Sequence, residues 1–359
     1  MGRLANYLYP LTPKKFKFIG TPAKYRGPSR EISVSYLHTS CGNASPITIH
    51  CLPAYICVMY LVEYHARNEF LLLDSGSAAD VRRIKYYVEE VLSRTRGRKL
   101  TLRDNLKLVV ASHCHLDHSG GTLGFQKEGI PIAVPPHMDD SYAGMRGVQQ
   151  LVEANFIYLI ARRLKRQREN VMAESAGFFG PYWPVAPRTD LLLHDGDTLP
   201  LGFDDWSVIS LPGHTTHMVG LYHTPSRCFY AADLTVKLQK GFFPPQPVHY
   251  DFAYAHTLQR IHQLHIRSLL LAHGGMVDVR KEYGSWETIL ENVKNNYYAI
   301  HQRYINPKDR GTAWGPFFLQ MGYRFLRAAL TPERRHFTVS DLPQGPLPKP
   351  WASPVFESR

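Results

Sequence analysis

The sequence lacks the features that mark several large classes of protein. It has five cysteines in 359 residues and no CxxC pair, which argues against a disulfide framework and favours a reducing compartment. It has no apolar run long enough to cross a bilayer, since the best candidate, residues 51–62, is short and contains Pro53. It also has no GxSxG serine elbow. We therefore expect a cytoplasmic protein with no membrane span and no nucleophilic serine of that type.

Acidic residues are scarce at the N-terminus, and the whole chain is basic. The net charge is +12, and the first thirty residues contain seven Lys or Arg and no acid. One interpretation of residues 1–32 is an organelle-targeting segment, although four prolines interrupt any amphipathic helix there. Further basic clusters lie at residues 94–99 and 162–168. Because a basic cluster is more often a solvated face than a binding surface, nucleic acid is an alternative partner rather than the expected one.

The most informative stretch of the chain is His113-Cys114-His115-Leu116-Asp117-His118, which directly follows the apolar residues 106–111. Imidazole and carboxylate are ligand types that suit Zn²⁺. In an extended segment that leaves a strand, His113 and His115 project to the same side and can bind one ion. Asp117 and His118 follow at the next turn, where they can reach a second ion. The alternative interpretation is a histidine-rich surface loop.

The same pattern, an apolar run that ends in a polar residue within a turn, occurs four more times. The four endings are Asp74-Ser75-Gly76, Pro212-Gly213-His214, Asp233 and His273-Gly274-Gly275. Ligands gather where strands end and loops begin, so these endings can converge on one site. Glycine at such points lets the backbone turn sharply and approach a metal closely.

Together these motifs resemble those of the metallo-β-lactamase superfamily over about residues 50–280. The resemblance implies an α/β protein built as a four-layer αββα sandwich, with two metal ions that we expect to be Zn²⁺, Fe or Mn being alternatives. The implied ligands are His113, His115 and His214 for one ion, Asp117, His118 and His273 for the other, and Asp233 for both. Asp74 is predicted to orient this cluster from outside it. The alternative for Asp74 is a turn residue at a strand end.

The resemblance also implies the chemistry. Coordination lowers the pKa of bound water from about 15.7 toward 7, so that a hydroxide between two ions can attack a carbonyl or phosphoryl centre. The predicted catalytic carboxylates are Asp117 and Asp233. Asp117 can accept a hydrogen bond from the nucleophile or relay its proton, and Asp233 bridges the ions.

Our first hypothesis for the substrate is a small carboxyl compound, namely a lactone, ester or thioester. Residues 52–74 and 118–121 look most like the lactonase branch and the related hydroxyacylglutathione-hydrolase branch. The chain differs from these two branches in two places. Leu234-Thr235-Val236 stands where quorum-quenching lactonases carry a tyrosine, and the basic glutathione-binding motif has no match. The alternatives are a nucleic-acid phosphodiesterase that uses the same centre and a mono-iron persulfide dioxygenase. The sequence leaves the oligomeric state open.

The predicted organisation is a basic extension (1–32), a catalytic domain (33–280) with an insertion (140–190), C-terminal helices (281–330) and a Pro-rich tail (331–359). Helices are predicted at residues 79–92, 148–165, 253–264, 285–304 and 317–329. Histidines outside the ligand set, among them His223 and His249, are predicted to be structural or on the surface. Four aromatic residues of the insertion are predicted to line the substrate cleft, or else to anchor the insertion to the body: Phe178, Phe179, Tyr182 and Trp183.

Overall fold

The computed structural model describes residues 14–17, 31–39, 46–54, 57–78, 80–142, 189–245, 248–305, 339–343 and 347. The chain divides into two compact units, the first made of Met1–Leu193 with Leu199–Asp204 and the second of His194–Thr198 with Asp205–Arg359. The predicted helices at 148–165 and 317–329 lie outside the described residues. The predicted domain boundaries stay predictions.

The first unit is built on an eight-stranded sheet in which the strands are ordered as they are in the chain. Its strands are β1 (Lys14–Lys17), β2 (Glu31–Thr39), β3 (Ile47–Pro53), β4 (Val58–Tyr64), β5 (Glu69–Leu73), β6 (Leu106–Val110), β7 (Ile132–Val134) and β8 (Leu191–Leu192). Strands β1 to β5 pair antiparallel, and β5 to β8 pair parallel. Because β5 and β6 are parallel neighbours, the residues that follow them emerge at the same edge of the sheet.

Strands β5 and β6 carry the core of the first unit. Residues 70–73 and 108–110 are completely buried, as expected for parallel strands that are covered on both faces and therefore read as continuous apolar runs. The helices of this unit are α1 (Asp80–Tyr86), α2 (Ser93–Arg96), α3 (Leu102–Asn105), α4 (Leu116–Ser119) and α5 (Thr122–Lys127), with a π-helical turn at Tyr87–Leu92. The helix predicted at 79–92 is therefore found as α1 followed by that π-helical turn.

The second unit has a five-stranded sheet of order β15-β14-β11-β10-β9 and a separate two-stranded ribbon. The five strands are β9 (Trp206–Ser210), β10 (Val219–His223), β11 (Cys228–Tyr230), β14 (Ser268–Leu271) and β15 (Gly275–Asp278), and the ribbon is β12 (Val236–Leu238) and β13 (Gly241–Phe243). Only the β11–β14 pair of these described strands is parallel. The helices are α6 (Asp251–Arg260), α7 (Val279–Tyr283) and α8 (Trp286–Ile305). Helices α6 and α8 confirm the helices predicted at 253–264 and 285–304.

Both units combine a sheet with helices, so the predicted α/β class is confirmed. Among the described residues, no helix combines the length and the apolar character needed to cross a bilayer.

A buried polar network joins β3 and β4 to the π-helical turn and α2. The Glu63 carboxylate, completely buried, accepts hydrogen bonds from His50 Nε2 at 3.0 Å and from Arg96 Nε at 2.9 Å. A second Arg96 nitrogen, Nη2, donates to it at 2.6 Å. Burial raises the pKa of Glu63, but the hydrogen bonds from His50 and Arg96 outweigh burial and lower that pKa to about 2. The network therefore holds a charged carboxylate inside the first unit.

The Glu63 network predicts a pH dependence of stability. The folded-state pKa of Glu63 lies below the unfolded value of about 4.3, so its charge stabilises the fold above pH 4.3 and this contribution is lost as pH falls toward 2. It is on the order of 3 kcal/mol at most. We expect the free energy of unfolding of the wild type to fall through this window more steeply than that of Glu63→Gln, as measured by urea unfolding from pH 7 to pH 3.

Glu69 supplies the control for this prediction. It forms a partly exposed ion pair with Arg67 at 3.2 Å, so Glu69→Gln should change stability by less than about 1 kcal/mol. Equal pH slopes for the wild type and Glu63→Gln would show that Glu63 is not held charged in the fold.

Candidate metal centre

The first group of candidate ligands follows β6 in the first unit. His113 and His115 are buried, and the Nε2 atom of His113 lies 3.1 Å from the Nδ1 atom of His115. The two rings therefore project to the same side, as the spacing predicts. Asp117 and His118 lie in α4, a one-turn helix where the sequence predicted only a turn. His118 Nε2 is 3.4 Å from Asp117 Oδ2.

The spacing of these atoms fits a bound metal. Two ligands at about 2.0–2.1 Å from a tetrahedral Zn²⁺ lie roughly 3.3–3.4 Å apart, and the two pairs are separated by 3.1 and 3.4 Å. The 3.1 Å separation of His113 and His115 also suits a hydrogen bond between the two imidazoles. The fit to a metal therefore rests on all the pairs together and not on this one. All four side chains offer nitrogen or carboxylate oxygen, the ligand types that Zn²⁺ prefers.

Asp74, at the end of β5, determines which ring nitrogen carries the proton in two of these candidate ligands. Its carboxylate accepts hydrogen bonds from Ser112 N at 2.7 Å, Ser112 Oγ at 3.1 Å and His118 Nδ1 at 2.5 Å. Because a carboxylate only accepts, Ser112 must donate its one proton to Asp74 and accept from His113 Nδ1, which lies 3.0 Å away. Both His113 and His118 are thus protonated on Nδ1, which leaves the Nε2 lone pairs available as metal ligands.

Asp74 has a backbone conformation that few residues adopt. Its φ is +61°, in the left-handed region where aspartate is better tolerated than most side chains because it bonds locally. The conformation turns the carboxylate toward the neighbouring strand end, where Asp74 N also donates to Val110 O at 2.8 Å.

The second group of candidate ligands lies in the second unit, where each residue follows a strand. His214, Asp233 and His273 come after β9, β11 and β14. Asp233 Oδ2 is 3.2 Å from His214 Nε2, and Asp233 Oδ1 is 3.3 Å from His273 Nε2. The two carboxylate oxygens therefore face two different histidines, an arrangement that suits a carboxylate shared by two ions. Ala232, just before Asp233, has a φ of +45°, which is strained for a residue with a Cβ.

Glycine is needed immediately before His214. Gly213 has a φ of +144°, and a Cβ on it would lie 2.7 Å from the backbone Cα of Tyr254. No L-residue with a side chain fits there unless α6 moves, so the Pro-Gly-His motif sets the direction in which His214 leaves β9.

Two histidines outside the candidate ligand set, His223 and His249, have different surroundings. His223 is buried and contacts Ser226 Oγ at 2.7 Å and Asp205 Oδ2 at 3.0 Å, so its predicted structural role is confirmed. His249, which we predicted to be structural or on the surface, stacks against the candidate ligand His214 with ring centroids 6.1 Å apart. No local sequence pattern marks that contact.

Two further contacts to the ligand motif were also missed by sequence reasoning. The thiol of Cys57 lies 2.8 Å from Asp117 O, and the hydroxyl of Tyr142 lies 2.7 Å from Cys114 O. These partners are 60 and 28 residues apart in the chain, so no motif spacing could reveal them. The predicted substrate residues of the insertion lie outside the described residues: Phe178, Phe179, Tyr182 and Trp183.

The Asp74 hydrogen bonds predict a loss of metal affinity in Asp74→Asn. The amide nitrogen that replaces one carboxylate oxygen donates instead of accepting, which favours the His118 tautomer with its proton on Nε2. We expect Zn²⁺ affinity to fall about 10- to 100-fold, as for other changes around metal-bound histidines. Competition with a chromophoric chelator measures this.

Asp205→Asn is the control, since it alters another histidine–aspartate pair, in which His223 is buried and Asp205 is partly exposed. Its Zn²⁺ affinity should stay within about twofold of wild type, because the histidine that it bonds, His223, is not a candidate ligand. Unchanged affinity in Asp74→Asn would mean that Asp74 is only a turn residue.

Comparison with known proteins places these motifs in a family. A model described as the metallo-beta-lactamase superfamily matches residues 52–273. Among curated proteins, the acyl-coenzyme A thioesterase MBLAC2 of Gallus gallus is 27% identical over 128 residues, which cover 35% of this chain and 41% of that protein. The Homo sapiens protein of the same name is 28% identical, with 35% and 40% covered. The match thus spans about two fifths of the length of these relatives.

A solved structure, that of a metallo-beta-lactamase family protein from Thermus thermophilus, is 19% identical, with a TM-score of 0.50. The similarity covers 83% of this chain and 90% of that one, and it confirms the predicted fold class. Because the family model spans 222 of the 359 residues (52 to 273), this chain belongs to the metallo-beta-lactamase superfamily.

Proposed function

We propose that this chain is a metal-dependent hydrolase and that its substrate is a small acyl thioester. The observation that carries the proposal is a set of four histidines, three buried and one half-buried, whose Nε2 atoms face carboxylate or imidazole ligand atoms at 3.1–3.4 Å. Membership of the metallo-beta-lactamase superfamily supports it. Of the three carboxyl substrates considered, the thioester is favoured because the curated relatives are named as acyl-coenzyme A thioesterases.

In this proposal seven side chains, all of a type that can bind a metal, hold two Zn²⁺ ions. They are His113, His115 and His214 for the first ion, Asp117, His118 and His273 for the second, and Asp233 for both. When bound, the ions lower the pKa of coordinated water from about 15.7 toward 7 and polarise the substrate carbonyl. The mixture of imidazole and carboxylate suits Zn²⁺, with Fe or Mn as the alternatives.

The residues of the chain supply proton handling and orientation. Asp74 keeps the protons of His118 and His113 on Nδ1, so that neither ring has to lose a proton to bind. Asp117 Oδ2 faces His118 Nε2. We propose that the Asp117 carboxylate accepts the proton of the attacking water. That proton passes to the sulfur as the carbon–sulfur bond breaks, and the products are a carboxylic acid and a thiol. Asp233 is proposed to fix His214 and His273 relative to each other.

The charge of the protein supports an anionic acyl carrier. With a net charge of +12, the chain attracts polyanions, and this attraction raises the rate of encounter at low ionic strength. A thioester of a phosphate-bearing thiol matches that charge better than a neutral lactone or aryl ester does. The charge also attracts nucleic acid, but no described contact favours a phosphodiesterase over a carboxyl hydrolase.

Hydrolysis by the zinc-loaded full chain tests the proposal. Acyl-coenzyme A, an S-acylglutathione, a γ-lactone, an aryl ester and a phosphodiester would be compared at matched salt. We expect kcat/KM to be highest for acyl-coenzyme A, to vanish with chelator and to return with Zn²⁺. Asp117→Asn should lose on the order of 10²- to 10⁴-fold in kcat, the contribution typical of a positioned acid–base group. Asp205→Asn should retain wild-type turnover.

The other outcomes discriminate among hypotheses. Turnover of only the lactone or ester would keep the hydrolase and reject the thioester. Metal-dependent cleavage of only the phosphodiester would replace the proposal with the nucleic-acid phosphodiesterase. Nucleic-acid binding that disappears at moderate salt without cleavage would mark mere charge attraction. No turnover of any substrate by protein shown to contain Zn²⁺ would reject the hydrolase proposal.

A further inference from the structure

We propose that Cys57 and Tyr142 are positioning residues for the metal centre, because each holds a backbone carbonyl of the segment that carries four of the ligands. This inference rests on the metal binding proposed above. Neither side chain belongs to the ligand set, and neither lies near the motif in the sequence. Cys57 directly precedes β4, and Tyr142 ends the 3₁₀-helix Asp139–Tyr142.

The segment needs such donors because α4 is only four residues long. The last carbonyls of a helix have no partner within the helix and must find one elsewhere. The amide that would bond Asp117 O in a longer helix belongs to Gly121. It donates instead to Gly76 O at 3.0 Å and to Ser75 Oγ at 3.1 Å. Asp117 O is therefore left to a donor from another element.

Cys57 is that donor. Its side chain is 1% exposed, and its Sγ lies 2.8 Å from Asp117 O. A thiol with its ordinary pKa of about 8.5 carries its proton at neutral pH and can donate it. A thiol is a weak donor, but a hydrogen bond inside a protein is stronger than the same bond in water. The contact fixes the backbone of a proposed ligand that also handles the proton.

Tyr142 holds the other end of the same segment. Its hydroxyl lies 2.7 Å from Cys114 O, between the ligands His113 and His115, and 2.5 Å from Ser119 Oγ. Tyr142 donates its one proton to Cys114 O, and Ser119 Oγ also lies 3.2 Å from that carbonyl and 3.0 Å from His115 O. Burial raises the pKa of Tyr142, which keeps this donor protonated at physiological pH.

Together the two contacts hold the backbone within each ligand pair, at Cys114 between His113 and His115 and at Asp117 before His118. Metal sites need ligands held to within about 0.5 Å of their working positions. Loss of either donor removes one hydrogen bond from the ligand segment, so its backbone is held less tightly. The ligands themselves are unchanged, so the expected defect is in metal affinity and coordination geometry rather than in the chemical nature of the site.

Metal binding by the full-length chain tests this inference. The variants are Tyr142→Phe, Cys57→Ala and the conservative Cys57→Ser, whose hydroxyl can still donate. Each would be titrated with Zn²⁺ against a chelator, and its Co²⁺ form examined by visible absorption. We expect Tyr142→Phe and Cys57→Ala to bind Zn²⁺ about tenfold more weakly, the lower end of outer-shell effects, and to shift the Co²⁺ bands. Cys57→Ser should restore both.

Two control variants match these changes in kind. Tyr222 donates its hydroxyl to His265 O at 3.0 Å, so Tyr222→Phe deletes the same type of bond away from any ligand segment. Cys228 is a completely buried cysteine, so Cys228→Ala reproduces the loss of a buried thiol. Both should lower the melting temperature as much as the test variants do, yet leave Zn²⁺ affinity within about twofold.

The outcomes separate this inference from the proposed function. A wild-type chain that binds no Zn²⁺ would overturn both. A wild-type chain that binds Zn²⁺ while Tyr142→Phe and Cys57→Ala behave like their controls would overturn the positioning role alone. If Tyr142→Phe does not fold, the comparison of Cys57→Ala with Cys57→Ser decides, because failure of serine to rescue the affinity would reject the role.

Discussion

The Asp74 carboxylate is the contact on which the metal motif of the first unit depends. It takes three hydrogen bonds, two from Ser112 and one from His118, and through Ser112 it also orients His113. Parallel pairing of β5 and β6 makes this contact possible, because it brings the residues after the two strands to one edge of the sheet. Strand pairing thus places Asp74 where its hydrogen bonds keep the protons of His118 and, through Ser112, of His113 on Nδ1.

Among the fully buried carboxylates of the first unit, Asp74 and Glu63 have contrasting partners. Burying an ionised carboxylate is costly unless it is paired and hydrogen-bonded. Glu63 meets the guanidinium of Arg96 and the imidazole of His50. Asp74 instead meets a serine and an imidazole whose second nitrogen faces further ligand atoms. Glu63 is thus paired with a cation, whereas Asp74 bonds two of the candidate ligands, His118 directly and His113 through Ser112.

Much of the fold and of the candidate site could be predicted from the sequence, because the patterns that determine them are local. The apolar runs predict β5 and β6, and the spacing of His113 and His115 predicts that their rings face the same side. The contacts of Cys57, Tyr142 and His249 could not be read, because they join residues that only the folded chain brings together. The π-helical turn after α1 was missed for another reason: its apolar spacing is that of an ordinary helix.

The central claim is that the seven histidine and aspartate side chains bind two ions. Anomalous diffraction at the zinc edge from crystals of the zinc-loaded full-length chain tests it most directly. We expect two strong peaks, one beside His113, His115 and His214 and the other beside Asp117, His118 and His273, with Asp233 next to both. A single peak, or peaks only at surface histidines such as His137 and His194, would contradict it.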